Sequence, residues 1–461
     1  MFRRFTEYFK DLLDREYFRR FWCIQEVLYA QKCDIQCGTE EMDFRDLMAL
    51  ALLIQHWLHD RQRCTVQFWI HLTRVKASRT MPIQHTWRTD DAPFLGAPIT
   101  VMRATRYFQY TDPRDRVYAL FHTFQTSIEH SLAKIDPEMS GEGPTIERLV
   151  EPNYSKKVNR VYRDFCWACV TFAGPKFKGS GEPLEFLSSV QHLDAEESKL
   201  PTKWPSWVPN FHSGTDVLSF QTSLWSAGVL LNGCNSHLPT SSWRSENILR
   251  VWGFEVDTVE ARTKVLDPTP TSDWMSAAWS ELFSIPLFPK PSLRTPYGHS
   301  TMPLATDAAF LLTLVAGKQG GYGDWLSETN EMNMILYSDL AREQQATLRG
   351  TDSAKRYCER AAEISRQRCC YLTKGGRLGL GPSIIKKGDR VVVLTHGRIP
   401  YILRQMKRQG SWKFIGDTYV QDEVLMRGQG MRFTAGSYHF STLFGSKSFA
   451  TGTTMRKFKL V

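Results

Sequence analysis

Residues Glu16–Ala30 read EYFRRFWCIQEVLYA, and the rest of the chain is best read outward from them. The spacing predicts one amphipathic helix. On a helical wheel Phe18, Phe21, Trp22, Leu28 and Tyr29 fall in one arc. Glu16, Arg19, Cys23, Glu26 and Ala30 fall opposite, with Glu26 at the edge beside Trp22. Gln25 lies within the apolar arc, where a buried amide needs defined hydrogen-bond partners.

Past this stretch, Lys32–Gly38 alternates Cys33, Ile35 and Cys37 with polar residues and predicts a short strand ending at Gly38. Asp43 is placed to cap a helix from Phe44 to about Leu58. Residues 64–76 and Thr100–Gln109 are expected to be helical, with a loop over 80–97. In Thr111–Phe121, TDPRDRVYALF, Asp112 is a good N-cap, Pro113 suits the first helical position and Asp115 the first turn. Val117, Tyr118, Leu120 and Phe121 supply its buried side. The two acids and two arginines are read as a well-capped helix, not as a catalytic group. Glu129–Ile146 is expected to be a connector, and Ser155 to cap a helix carrying Val158, Val161, Tyr162, Phe165 and Cys169 at helical spacing.

Several of these segments resemble the fungal HET (heterokaryon incompatibility) family. Arg20-x-Trp22-x-x-Gln25-Glu26 followed by Cys37-Gly38 resembles the distal end of the HET domain. Residues 111–121 resemble its DPRDxxYAL segment, 152–162 its helix with P-x-Y-S and V-Y, and 203–211 its PSWVP segment. FRRFWCIQEVLYA also looks like the third helix of TIR domains, to which HET domains look related. In TIR enzymes that helix carries an aromatic residue followed by the glutamate that cleaves NAD. The resemblance therefore implies Glu26 as the catalytic carboxylate, Trp22 as a cofactor-pocket residue, and NAD as substrate. Such a carboxylate would stabilise an oxocarbenium-like transition state. The family's earlier segments, ALSYxWG and DAICINQ, have no counterpart here. The chain is expected to hold only the later part of the domain and to be an incomplete or inactive copy if that is the whole of it.

At 461 residues, 42% hydrophobic and 23% charged, the chain has material for two to four domains. Fourteen Trp and 27 Phe argue against disorder over most of its length. No apolar run spans a bilayer. The ten cysteines form no disulfide framework, which predicts reduced thiols and a cytoplasmic setting. Cys166-x-x-Cys169 lacks a second pair at zinc spacing, so no metal site is expected. The motifs of serine hydrolases, zincins and Walker A loops are absent, and Gly317–Gly323 lacks the pattern of a phosphate cradle.

Leu249–Val259 reads as a strand with a glycine break. Residues 272–286, 303–316, 327–348 and 352–367 read as helices. From Cys369 the period changes to short strands: CCYLT, RLGLGP, DRVVVLTHG, YILRQM and WKFIGDTYV. Pro400, Leu403-Arg404 and Gly416–Val420 resemble the module common behind HET domains. Residues 386–461 hold 14 Lys and Arg against 4 Asp and Glu, with Tyr401, Trp412, Phe414, Tyr419, Phe433, Tyr438 and Phe440 interleaved. A basic barrel of this kind can bind single-stranded nucleic acid, although strand aromatics usually belong to a core.

The expected fold is α+β. A remnant of a TIR-like α/β layer and following helices occupies 1–127, and a helical and loop region with PSWVP occupies 128–270. A helical insertion fills 271–367 and a small basic antiparallel sheet or barrel 368–461. The expected role is signalling in fungal non-self recognition, leading to cell death through protein partners. NAD cleavage by Glu26 is the alternative; nucleic-acid binding is a second and less favoured one.

Overall fold

The computed structural model describes residues 2–54, 98–120, 151–172, 183–192, 204–212, 247–268, 274–285, 306–317, 352–407, 410–426 and 456–461, with shorter pieces between them. The expected loop 80–97, connector 129–146 and helix 327–348 lie outside the described residues. The chain divides into two compact units: Met1–Phe186 with Asn210–Gly214, and Leu187–Pro209 with Thr215–Val461.

In the first unit the expected helix 16–30 is two helices, Glu16–Arg19 and Cys23–Tyr29. Arg20 is extended between them and pairs with Gln109 as a parallel bridge. The Phe21 N–H donates to the Gln109 carbonyl at 2.9 Å, and the Gln109 N–H to that of Arg19 at 2.6 Å. These bonds replace helical ones and let Phe21 sink fully into the core between Phe108 and Tyr110. The break also turns the second helix. Cys23, expected on the polar side, is fully buried, whereas Trp22 and Tyr29 are 38% and 46% exposed.

Cys23–Tyr29 leads into β1 (Asp34–Cys37), paired antiparallel with β2 (Glu40–Asp43). The expected strand is thus one arm of a largely exposed hairpin, and among the described residues of this unit no parallel layer accompanies it. Gly38, at φ 67°, supplies the left-handed turn residue between the arms. Asp43 caps helix Phe44–Ile54 as expected: its Oδ1 accepts the Arg45 N–H at 2.7 Å. Phe18, Phe44, Trp69 and Phe108 meet in the core, and the Trp69 indole donates to the Phe18 carbonyl at 2.9 Å.

Two further helices of this unit are Pro98–Ala104 and Val158–Phe172. The second buries Val161, Tyr162, Phe165 and Cys166. Ser155 is not its cap: the Ser155 hydroxyl bonds Asn153 Oδ1 instead. Cys166 and Cys169 are packing residues, both held as neutral thiols by burial.

The second unit is built on β3 (Leu249–Arg262), a strand of 14 residues. Helices Trp274–Phe283, Thr306–Leu314 and Asp352–Ser365 follow it, with the short pair β4 (Leu293–Arg294) and β5 (Pro303–Leu304) between the first two. Then come β6 (Arg368–Thr373), β7 (Leu378–Pro382), β8 (Arg390–Leu394), β9 (Tyr401–Gln405), β10 (Ser411–Asp417) and β11 (Tyr419–Val420). A hairpin, β12 (Met431–Thr434) and β13 (Ser437–Phe440), precedes β14 (Arg456–Leu460).

Pairing closes β3, β14, β10, β9 and β8 into a ring, because β8 returns to β3. The far end of β3, Val259–Arg262, pairs instead with β6, which continues through β7 to β11. Register shifts at Glu255/Asp257, Val259/Ala261 and Phe414/Gly416 supply the bends that closure needs. At Gly253 a side chain would run into the Val393 carbonyl, so glycine there allows β3 and β8 to approach. Phe254, Val259, Tyr371, Val391, Ile402 and Ile415 fill the core. Trp207, from the PSWVP segment, is fully buried and donates to the Asn247 carbonyl at 3.0 Å, a packing role as expected.

Arg368 and Asp417 form an ion pair inside this unit, 3.1 Å apart and 1% and 3% exposed. The Arg368 guanidinium lies 3.5 Å from the centroid of the Phe220 ring, and Asp417 Oδ2 accepts the Phe220 N–H at 2.9 Å. Removing one member strands the other charge in the core. Asp417→Ala is therefore expected to lower unfolding free energy by about 3–5 kcal/mol in denaturant titrations. Joint replacement by Met at 368 and Leu at 417 should cost less than either single change.

His192 is 5% exposed, with Nε2 3.0 Å from the Ser206 carbonyl, and burial pulls its pKa from 6.5 down to about 4. Between those values the unfolded chain binds a proton that the folded chain refuses, so stability rises with pH. His192 is expected to cost nothing above about pH 7 and roughly 3 kcal/mol once pH falls to about 4. Urea midpoints at pH 7 and pH 4.5 should draw closer together in His192→Gln than in the unmodified chain.

Candidate functional site

Trp22 and Glu26 begin and end the first turn of helix Cys23–Tyr29, and both are exposed. Cys23 is buried beneath them, and its thiol is pushed up to about 11, first by burial and then by the Glu26 charge. Cys23 is therefore a neutral, unreactive thiol at neutral pH.

The Trp22 indole does not stand free. Its Nε1–H donates to Asp115 Oδ2 at 3.2 Å, and the Tyr154 hydroxyl donates to Asp115 Oδ1 at 2.6 Å. One buried carboxylate thus fixes two partly exposed aromatic rings; Tyr154 is 49% exposed and Asp115 only 5%. Burial, and then the hydrogen bond to Asp115, hold the Tyr154 phenol well above its ordinary pKa.

Asp115 belongs to the DPRDR run, and every charged side chain in that run has a separate task. Asp112 accepts the backbone N–H of Arg114 at 2.9 Å and pairs with its guanidinium at 2.6 Å. The hydrogen bond from the Arg114 side chain keeps the Asp112 carboxyl below the usual range. Arg114 reaches on to the carbonyls of Tyr154 and Lys156. Arg116 is 1% exposed; it donates to the carbonyls of Met102, at 2.7 Å, and Thr105, and lies against the rings of Phe21 and Tyr110. Tyr118 and Tyr162 donate to the carbonyls of Asn153 and Pro113, at 3.0 and 2.6 Å. The helix expected here is a single turn, Asp115–Tyr118, with all four residues buried.

Residues 325–432 match the family model of the Het-6 beta-barrel domain. Heterokaryon incompatibility protein 6, OR allele, of Neurospora crassa (strain ATCC 24698 / 74-OR23-1A / CBS 708.71 / DSM 1257 / FGSC 987) is 39% identical over 51 residues. That is 11% of this chain and 8% of that protein, so the match spans less than a tenth of the relative's length. No solved structure matches. Both similarities point to the fungal HET family.

In this chain the DPRD motif organises packing, as its sequence suggests. The sequence reading missed that Asp115 holds Trp22 from 93 residues away, and that Arg116 is buried. The signal in the sequence is the density of charge: four charged residues within positions 112–116 run directly into the apolar Val117–Phe121. The match also covers strands β6 to β11. Their aromatic residues Tyr401, Trp412, Phe414 and Tyr419 are 0–6% exposed, whereas stacking on a nucleic acid needs open rings. Among the described residues no cluster of His, Cys, Asp or Glu is arranged to hold a metal, and no helix is long and apolar enough to cross a membrane.

Asp115→Ala removes the acceptor of both the Trp22 indole and the Tyr154 hydroxyl. It is expected to destabilise by about 1–3 kcal/mol, more than either Trp22→Phe or Tyr154→Phe, each of which removes one donor. Urea unfolding of the three variants and of their double mutants measures the coupling.

Proposed function

We propose that this chain is a signalling component of fungal non-self recognition, acting in heterokaryon incompatibility and leading to the death of fused cells. It works through contacts with protein partners in the cytoplasm. The observation that carries this reading is the coincidence of the Het-6 barrel match with the strand-rich part of the second unit. The relative named for heterokaryon incompatibility points the same way. The expected result is that cells expressing this chain die after fusion with a strain of opposite specificity. Asp417→Ala, which undermines the barrel, should abolish that outcome, and Glu26→Gln should not. Survival of fused cells equal to empty-vector controls, across a panel of tester strains, would overturn it.

A second reading is NAD cleavage in which Glu26 is the catalytic carboxylate of a TIR-like site and Trp22 lines the pocket. It is favoured by one observation: Glu26 is open to solvent one helical turn from an indole whose orientation is fixed by Asp115. On this reading purified chain consumes NAD, and Glu26→Gln lowers the rate by roughly a hundredfold or more with unchanged circular dichroism. Equal rates in the variant and the unmodified chain remove Glu26 from the chemistry.

A further inference from the structure

Two strands of the five-strand ring lie outside residues 325–432: β3 and β14. β14 enters between β3 and β10. It pairs antiparallel with β3 over Leu249–Gly253 and parallel with β10 through only Ser411↔Lys459 and Trp412↔Leu460. That is the one parallel pairing among the described strands.

β14 is held as a peptide is held in β-augmentation, with a main-chain ladder for affinity and alternate side chains in pockets for specificity. Phe458 and Leu460 are fully buried, while Arg456, Lys457 and Lys459 face solvent. Phe458 meets Trp412 edge-on, with ring centroids 5.5 Å apart. The slot matches the charge of the strand. Glu255 pairs with Arg456, and the Lys457 ammonium lies 5.8 Å from the centroid of the Trp252 ring. Beyond the strand the Val461 carbonyl accepts the Ser206 N–H at 3.0 Å.

We propose that the slot between β3 and β10 is a strand-binding site that accepts residues 456–460 of a second copy of this chain as well as its own, so that copies associate by exchanging β14. A second copy is the fitting occupant because it carries the same RKFKL segment, with the apolar and basic alternation that the slot complements. Fifteen residues, 441–455, separate β13 from β14. Fully extended, such a length reaches at most about 50 Å, enough to enter a neighbouring copy, and strand exchange costs little because the native contacts are reused.

The register offers a direct test, since Lys459 lies opposite Arg250. Full-length chain carrying both Arg250→Cys and Lys459→Cys is expected to cross-link within one copy under mild oxidation, which checks the register. Full-length Arg250→Cys mixed with full-length Lys459→Cys is then expected to give a covalent dimer with a 250–459 disulfide, identified by mass spectrometry. That dimer should be lost when Phe458→Asp is added to the Lys459→Cys copy. Should that copy not fold, an excess of synthetic peptide of residues 456–461 must suppress the dimer instead. The proposal is overturned if the mixed copies stay monomeric, if the double variant fails to cross-link within one copy, or if neither Phe458→Asp nor the peptide reduces the 250–459 disulfide.

Discussion

The first unit is arranged around a positive charge that water does not reach. Arg116 is buried, and among the described residues no carboxylate pairs with it. Burial lowers its pKa, yet from so high a starting point the guanidinium remains charged. Its compensation comes from the carbonyls of Met102 and Thr105 at the end of helix Pro98–Ala104, where the helix dipole is negative, and from the faces of Phe21 and Tyr110. Those demands explain the neighbouring geometry. Phe21 can sit against the guanidinium only if the chain leaves the helix at Arg20, and Gln109 makes that departure tolerable by taking up the freed backbone groups. The acid next in line, Asp115, turns the other way and accepts Trp22 and Tyr154. A five-residue run thus engages three stretches of the chain, Phe21–Trp22, Met102–Tyr110 and Tyr154–Lys156.

In the second unit the same problem is solved differently. Arg368 has a carboxylate, Asp417, and the pair is completed by the Phe220 ring and backbone N–H. A pair of this sort contributes little net stability against a well-packed apolar core but heavily penalises any register that separates its members. It joins the first residue of β6 to the last residue of β10, so the two parts of the sheet system are held in one relation. The length of β3 does the complementary task. One strand serves the ring over Leu249–Thr258 and β6 over Val259–Arg262, and two register shifts let it bend.

What could be read from the sequence was what local physics determines. The strands between Arg368 and Val420 follow from short apolar runs such as Val391–Leu394 and from turn residues such as Gly388 and Gly397, because hairpin neighbours are close in the chain. Asp43 as a cap and Trp207 as a packing residue are legible for the same reason. The break at Arg20 is not, since it is made by Gln109, and no wheel contains a partner 89 positions away. Nor is β14: in isolation RKFKL is a basic run that water suits well, and only the pockets lined by Trp412 and the ladder with β3 make it a strand. Trp22 stands out in the sequence, but its hydrogen-bond partner cannot be read from the helix that carries it.

That partner bears on how the two functional readings compare physically. With its N–H committed to Asp115, Trp22 offers a ligand only its ring, and it offers that ring in a fixed orientation. Such preorganisation suits recognition and catalysis alike. Glu26 is different. A carboxylate stabilises a developing cation strongly where water is excluded and weakly where it is not, and Glu26 is exposed. Catalysis by Glu26 therefore requires something to cover it, either the substrate or another surface. Exchange of β14 makes a different demand: the strand must leave a slot whose burial sites for Phe458 and Leu460, and whose Glu255, are already assembled within one copy. The interaction reading rests on features that are built, and the enzymatic reading becomes strong only if association also closes the site around Glu26.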